Sequence, residues 1–408
     1  MRSLNRRQAL SLLGAFPLAA RLDAQIRPTS QHRFFVGGGH GLILEPGGTL
    51  KTWLTGKRND GLAPDWLGLG HNNPVEPYTL FPIPNVSNVV SACAGVNVSF
   101  ALLGDGRVLS WGMNAGEGRL GTTPLGDLER TRYSGPNSNR PVEPLRKFDA
   151  IAISSMNEHV LVLERDGSVY AWGRCASGEL GIGLMPIINF IGNGPSPVTY
   201  LPFPVRVPDL GDVTAISAGY RFSMALLKDG TVRTWGDNSA GQLGDGTTTD
   251  RDKPTPVPGL RDVVAIAAGD VGGAALLADG SVMQWGQIDN DYSSLKITPK
   301  PVPVVGVRGI RAIAAGGRHV AAITNTGTVV TWGINQHYQL GRGRNVPNPP
   351  GSVANLTGVI SLTASSDTTI AVLSSGRVMT WGFVRPWSLN GEFGHTPILL
   401  WIDGLDQS

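Results

Sequence analysis

Seven tryptophans return along this chain at a regular distance, and that recurrence constrains the fold more than any other feature. Trp111, Trp172, Trp235, Trp285, Trp332 and Trp381 are each followed by glycine, and Trp53 is an earlier, degenerate member followed by Leu54. The spacings run from 58 to 63 residues for the first three intervals and from 47 to 50 for the last three. Self-similarity on this scale points to a repeat architecture and takes precedence over other fold arguments.

The flanks hold the register. Upstream of each tryptophan lies a two-residue turn: Gly47-Gly48, Asp105-Gly106, Asp166-Gly167, Asp229-Gly230, Asp279-Gly280, Thr326-Gly327 and Ser375-Gly376. Asp-Gly between alternating apolar runs predicts a hairpin with positive φ at both turn positions. Before the turn comes a strand such as Met224-Ala225-Leu226-Leu227, and before that a strand of small residues ending in glycine, such as Ser217-Ala218-Gly219. A further extended piece, often opened by proline, precedes it. Four short strands per repeat and seven repeats predict an all-β fold: a seven-bladed β-propeller of four-stranded blades. Small residues suit the crowded innermost strand, and an indole can fill the widening gap between blades. With 55 Gly and 29 Pro among 408 residues, the composition fits short strands and tight turns.

The termini suggest how the ring closes. Residues 396–405 match the strand that opens a repeat, and Arg33-Phe34-Phe35-Val36-Gly37 supplies the small-strand piece that would follow. The expectation is a ring closed by N- and C-terminal strands, with one blade built from both ends and no long free edge.

Residues 1–24 read as an address, with 25–408 as a single propeller domain. Asn5-Arg6-Arg7-Gln8 precedes a modestly apolar run from Ala9 to Ala20, and Ala24 offers a small residue for cleavage. The adjacent arginines resemble a twin-arginine export signal; an ordinary secretory signal is the plain alternative. The run is shorter than the roughly 20 apolar residues that span a bilayer. The expected location is exported, periplasmic or extracellular. Without this segment the chain holds 30 Lys+Arg and 30 Asp+Glu, a neutral balance that argues against nucleic acid or an anionic membrane as partner. Cys93 and Cys175 occupy different repeat positions and are expected as free thiols.

The stretch Ala215-Ile216-Ser217-Ala218-Gly219, then Ala225 to Val232, then Trp235-Gly236-Asp237-Asn238-Ser239-Ala240-Gly241-Gln242-Leu243-Gly244, resembles the regulator of chromosome condensation repeat. The resemblance covers about residues 33–405. Kelch repeats, with their Gly-Gly doublet and spaced Tyr and Trp, do not fit. The resemblance implies a seven-bladed propeller and leaves function open: the eponymous member exchanges nucleotide on the small GTPase Ran and binds chromatin, while a secreted bacterial relative inhibits β-lactamases. In the Trp235–Gly244 stretch, Asn238 is expected to bond backbone in the following turn and Leu243 to act as an apolar plug.

No chemical motif emerges. The sequence has no G-x-S-x-G elbow and no P-loop. His40, His159 and His319 fall at one repeat position but in the first, third and sixth blades, so local hydrogen bonding is expected in place of a shared metal. Asp245 to Asp250 lacks the ligand spacing of a calcium loop. No catalytic, cofactor or metal residue is assigned.

Function should lie where repeats differ. The surplus length of the first three intervals follows the tryptophan, so insertions around 55–82, 122–147 and 182–203 should cluster on one face over adjacent blades. They carry Trp66, Tyr78, Phe81, Arg130, Arg132, Tyr133, Phe190 and Tyr200, side chains of the types that dominate binding hot spots. Equally, Trp66 stands at the Gln position of a degenerate repeat, and these aromatics can simply cover blade edges. The reading is a non-enzymatic, monomeric, exported module that binds a protein or cell-envelope partner through this face. The alternatives are an inhibitor of an extracytoplasmic enzyme such as a β-lactamase, a hydrolase or lyase at the channel mouth, and, last, a guanine nucleotide exchange factor.

Overall fold

The computed structural model describes residues 32–399, except 38, 55–63, 78, 115–117, 124–135, 184–186, 191–194, 288–295, 344–348 and 384–393. Seven four-stranded antiparallel sheets form a ring. Blade 4 shows the pattern: Val213–Ala218 innermost, then Phe222–Leu227, Val232–Gly236 and Arg251–Pro256 outward. Blades 1, 2, 3, 5, 6 and 7 begin at Arg33, Val89, Ala150, Val263, Ile310 and Val359. The first strands of successive blades touch all the way round, the first meeting the seventh. Blade 3 adds a hairpin, Ile187–Phe190 with Pro195–Val198, before its last strand.

The second strand of each blade is mostly buried on both faces because a neighbouring blade covers each side. In blade 4 it reads FSMALL, with the first five residues buried. The tryptophans sit on the third strands, and none is more than 3% exposed.

The turns follow the sequence in place but differ in type. Gly106, Gly167, Gly230 and Gly280 have φ between 81° and 85°, whereas the aspartates before them are not in the left-handed region. In blade 4 the Gly230 amide donates to Leu227 O at 3.0 Å and the Leu227 amide to Thr231 O at 2.9 Å. This is a type I turn followed by a left-handed glycine, not the mirror-image turn expected from Asp-Gly. The reason is local: Asp229 keeps ordinary φ and its Oδ1 accepts both the amide and hydroxyl of Thr231 at 2.9 and 2.7 Å. The turns of blades 1 to 6 then join the next blade, as where the Val263 amide donates to Gly230 O at 3.1 Å.

Ring closure differs from expectation in one respect. N- and C-terminal strands do meet at the seam, where Phe34, Ile43 and Trp53 pack on Ile370, Val372 and Val378. They do not share a sheet. Arg33–Val36 pairs with His40–Leu44, and Gly394–Leu399 pairs with Val378–Gly382, so both end blades are contiguous in sequence. Short hairpins supply these partners locally, and the seam is sealed by side-chain packing. Both cysteines are free, and burial pushes the Cys175 thiol up to about 12.

Candidate interaction face at the long-loop rim

A propeller has two rims, and here they are unlike. One carries the hairpin turns, Asp-Gly in four blades and Gly-Gly, Thr-Gly and Ser-Gly in the others, each ending in a left-handed glycine. The other carries the turns between first and second strands, around the channel mouth, together with the excursions between third and fourth strands. Those excursions cover residues 55–80, 113–137 and 175–199 in blades 1–3, against 237–250 and 288–296 in blades 4 and 5.

At the channel mouth, backbone bonds knit neighbouring blades. The Tyr220 amide donates to Gly269 O at 3.2 Å, Asp270 to Gly317 O at 2.7 Å, and Gly317 to Ser366 O at 2.6 Å. Asn157 Nδ2 donates to Tyr220 O at 3.3 Å. The turn residues differ in every blade, in contrast to the opposite rim. Tyr220 is 40% exposed, with the Arg221 guanidinium 5.1 Å from its ring centre. Burial, reinforced by the Asp367 charge, raises the Asp270 carboxyl above its ordinary range, while Arg318 pulls it back. Asp367 in turn accepts from Gln339 Nε2 at 2.8 Å and pairs with His337 Nδ1 at 2.9 Å.

Blades 2 and 3 meet through a charged chain of groups beneath the same rim. Arg119 Nη2 bonds Glu158 Oε1 at 2.9 Å, and Tyr200 Oη donates to Glu158 Oε2 at 3.3 Å. Arg174 lies between the two glutamates, 3.4 Å from Glu158 and 2.9 Å from Glu179. Burial raises the Glu179 carboxyl, and backbone hydrogen bonds and Arg174 offset this. Arg119 and Glu179 occupy the place of Gln242 and Gln339 in blades 4 and 6. That substitution within an otherwise repeated Gly-x-Leu-Gly turn is the sequence signal for this network, and insertion length does not carry it. Replacing Arg119 with alanine leaves Glu158 short of its best partner, so Arg119→Ala is expected to lower stability by about 3 kcal/mol in urea unfolding. A loss under about 1 kcal/mol would show the pair to be solvent-screened.

The expected binding residues divide. Trp66 lies in the short 3-10 turn Asp65–Leu67 and, with Phe81, is half-buried on Leu54, Leu67 and Leu69. Its carbonyl accepts Trp111 Nε1 at 3.0 Å and Ser99 Oγ at 3.0 Å, the duty of the Gln position in other repeats. Tyr200 belongs to the charged network. Phe190 falls within the extra hairpin. Tyr78, Arg130, Arg132 and Tyr133 lie outside the described residues. Exposed Tyr220 and half-buried Arg221 stand in a short turn and not in an insertion, so insertion length does not point to them.

Asn238 behaves as its repeat position demands: Oδ1 accepts the Leu243 amide at 3.0 Å, and Nδ2 reaches Thr247 O and Thr249 O at 3.1 and 3.0 Å. Asp245 Oδ1 accepts the amide and hydroxyl of Thr247, and Oδ2 accepts Arg251 Nε at 2.8 Å. Each of the three equivalent histidines bonds the next blade's second strand: His40 to Ser99 Oγ at 2.5 Å, His159 to Ser223 Oγ at 2.9 Å, His319 to Thr369 Oγ1 at 2.7 Å. Among the described residues no cluster of His, Cys, Asp or Glu is arranged to hold a metal ion, and no helix is long and apolar enough to cross a membrane.

Comparison with known proteins agrees with this geometry. A family model described as RCC1-like domain matches residues 18–345. The chain belongs to the RCC1-like domain family. It is 32% identical over 160 residues to the human probable E3 ubiquitin-protein ligase HERC6, covering 39% of this chain and 14% of that one. It is 32% identical over 195 residues to the mitochondrial RCC1 domain-containing protein RUG3 of Arabidopsis thaliana, covering 48% and 40%. The match thus spans well under half of these relatives. Among solved structures, human WBSCR16 superposes with a TM-score of 0.66 at 20% identity, over 81% of this chain and 86% of the other. Prp20p of Saccharomyces cerevisiae, described with its binding to Gsp1p and histones, gives 0.63 at 24%, over 83% and 81%. These likenesses establish the fold. An RCC1-like propeller is a protein-interaction module.

Proposed function

We propose that this chain is an exported, non-enzymatic binding propeller that engages a protein partner through its long-loop rim. One observation carries the reading: the hairpin-turn rim is built from turns that each end in a left-handed glycine and, in blades 1 to 6, bond the next blade, whereas the long-loop rim differs in every blade. A surface repeated seven times has nothing to distinguish one partner from another; specificity needs the divergent side. Tyr220 and Arg221 give that side an exposed aromatic and a guanidinium of the type found at hot spots. Prp20p, a structural relative, binds Gsp1p and histones, and protein binding is the property brought here, without those partners. The charge balance of residues 25–408 supports a protein over nucleic acid, and the arginine pair at Arg6-Arg7 supports export.

The test is site-specific photo-crosslinking. A photoreactive residue at Tyr220 is expected to capture one saturable partner from periplasm or medium, and one at Asp229 on the opposite rim is expected to capture none. Capture only from Asp229 overturns the assignment of the face. Export is checked by fractionation: Arg6→Lys with Arg7→Lys should hold the protein in the cytoplasm, and unchanged export removes the twin-arginine route.

A further inference from the structure

The repeat that departs most from its siblings leaves a gap. In five blades the chain turns inward after the tryptophan strand and buries a leucine: Leu67, Leu120, Leu180, Leu243 and Leu340, none more than 1% exposed. The carbonyl before that leucine accepts the indole N–H of the next blade. Arg119 O takes Trp172, Glu179 O takes Trp235, Gln242 O takes Trp285, each at 2.8 Å, and Gln339 O takes Trp381 at 3.0 Å. The glycine after the leucine lies against the same indole: a Cβ on Gly181 or Gly244 would come within 2.7 or 2.8 Å of it. Trp, leucine and glycine form one interlock at these five blade boundaries.

The sequence of blade 5 lacks this motif. After Trp285-Gly286-Gln287 no Gly-x-Leu-Gly precedes the fourth strand, Ile297–Pro303. Four substitutions adapt the boundary with blade 6. Gln284 stands where Thr234 stands in blade 4, and its Oε1 takes the Trp332 indole N–H at 2.7 Å in place of the missing carbonyl. Val320 stands where Ser223 would donate to that carbonyl, as Ser223 does to Glu179 O at 2.8 Å. Gly272-Gly273 replaces Phe222-Ser223, removing the bulk on the facing strand. The polar demand of the Trp332 indole is met, and among the described residues no leucine takes the place that Leu243 holds in blade 4. A cleft of about 40 Å³ results, lined by Gly272, Gln284, Gln287, Arg318, Val320 and Trp332. That exceeds the roughly 10–15 Å³ one water needs, and the lining offers few partners to hold water.

We propose that the cleft between blades 5 and 6 receives a leucine-sized aliphatic side chain presented on a tight turn of the partner protein. The occupant's chemistry follows from the five sister positions, each filled by a leucine on a glycine-flanked turn. Because Gln284 already satisfies the Trp332 N–H, the incoming group needs to supply apolar volume and no backbone carbonyl. The cleft opens among the strand turns of the long-loop rim, beside Gly269 and Gly317. The proposal thus deepens the binding reading and rests on it for the existence of a partner; the chemistry of the cleft stands on its own geometry.

The probe is a cyclised peptide carrying Ala-Gly-Gln-Leu-Gly-Asp, the sequence of the blade 4 turn. It is titrated into the full-length ¹⁵N-labelled protein, with the Trp332 indole resonance assigned by its loss in Trp332→Phe. The expected result is a saturable shift of that resonance, with affinity about tenfold weaker when the peptide leucine is replaced by alanine. Gly272→Val, which restores the residue type of Val98 in blade 2, is expected to abolish the response. No shift at about 10 mM peptide overturns the proposal, as does an equal response to both peptides. A response seen only when residues 288–295 are replaced by a Gly-Ser linker also overturns it, assigning the cleft to the chain's own segment. Crosslinks from Tyr220 are unaffected by any of these outcomes, so the two readings fail separately.

Discussion

Lowering the pH from 7.5 to 5.0 is expected to destabilise the folded protein by about 6 kcal/mol, through three histidines that no catalytic reading needs. His40, His159 and His319 are fully buried, and desolvation lowers them from 6.5 to about 3, about 3 and about 4. Each accepts or donates one hydrogen bond through Nε2 to a hydroxyl on the next blade, while Nδ1 is buried without a partner. Ser99 and Ser223 pass their own protons to Trp66 O and Glu179 O, so their oxygens accept from the ring, which fixes neutral Nε2–H histidines in blades 1 and 3. The sign follows from the lowered values. The folded state binds fewer protons than the unfolded state between about pH 6.5 and the folded pKa. Stability is complete above 6.5 and falls as the pH drops through that window. At pH 5 the unfolded chain is favoured by about 2 kcal/mol per histidine. Raised carboxyls such as Glu179 and Asp270 act in the opposite sense, gaining stability as they protonate at lower pH. Urea midpoints at pH 7.5 and 5.0 measure the balance. For a domain of ordinary stability, about 5–15 kcal/mol, the expected loss is a large share of the total. An unchanged midpoint would mean that the rings are protonated and paired in the native state. His159→Gln should flatten the dependence by about one third, because it removes one of three similar contributions.

The parts of this molecule legible in sequence are those written seven times. Strand number, the tryptophan seam, the plug role of Leu243 and the bonding of Asn238 follow from repetition, because each copy tests the reading of the others. Repetition makes position legible, but not local conformation or strand pairing. The Asp-Gly rule supplied the wrong turn type because Asp229 is tied to Thr231 and not free to adopt positive φ. The two chain ends were expected to share a sheet, because extended segments with the right residues resemble one another whichever neighbour they pair with. The site was less legible still. Insertion length flagged Trp66 and Tyr200, yet one lends its carbonyl to Trp111 and the other its hydroxyl to Glu158. The exposed Tyr220 sits in a turn of ordinary length, where only the absence of a repeat residue marks it. The cleft at Trp332 is visible in sequence solely as a missing Gly-x-Leu-Gly, and its consequence depends on how Gln284, Val320 and Gly272 come together in space.

If the indoles are what joins one blade to the next, deleting one should loosen a boundary and not merely a strand. Trp235 is fully buried, packs with Leu180, Val213 and Ala225, and donates to Glu179 O. Trp235→Ala is expected to cost about 4 kcal/mol, the range seen when a large aromatic leaves a core that cannot collapse around the void. Collapse is hindered here because both blades are held apart by their own sheets and by the ring. Trp332→Ala is the informative comparison. That side chain also lies buried, but among the described residues no leucine turn rests on it and its N–H partner is a side chain able to reorient. Fewer contacts are forfeited and Gln284 can turn toward the cleft, so the loss should be smaller by about 1 kcal/mol. Urea unfolding of both variants gives the difference. Amide exchange locates it: the Gly181 amide, bonded to Gly178 O at 2.9 Å in the turn resting on Trp235, should exchange faster in Trp235→Ala and unchanged in Trp332→Ala. Equal losses, or protection of Gly181 retained without Trp235, would place the strength of the boundary in the backbone bonds between blades and leave the tryptophans as filling.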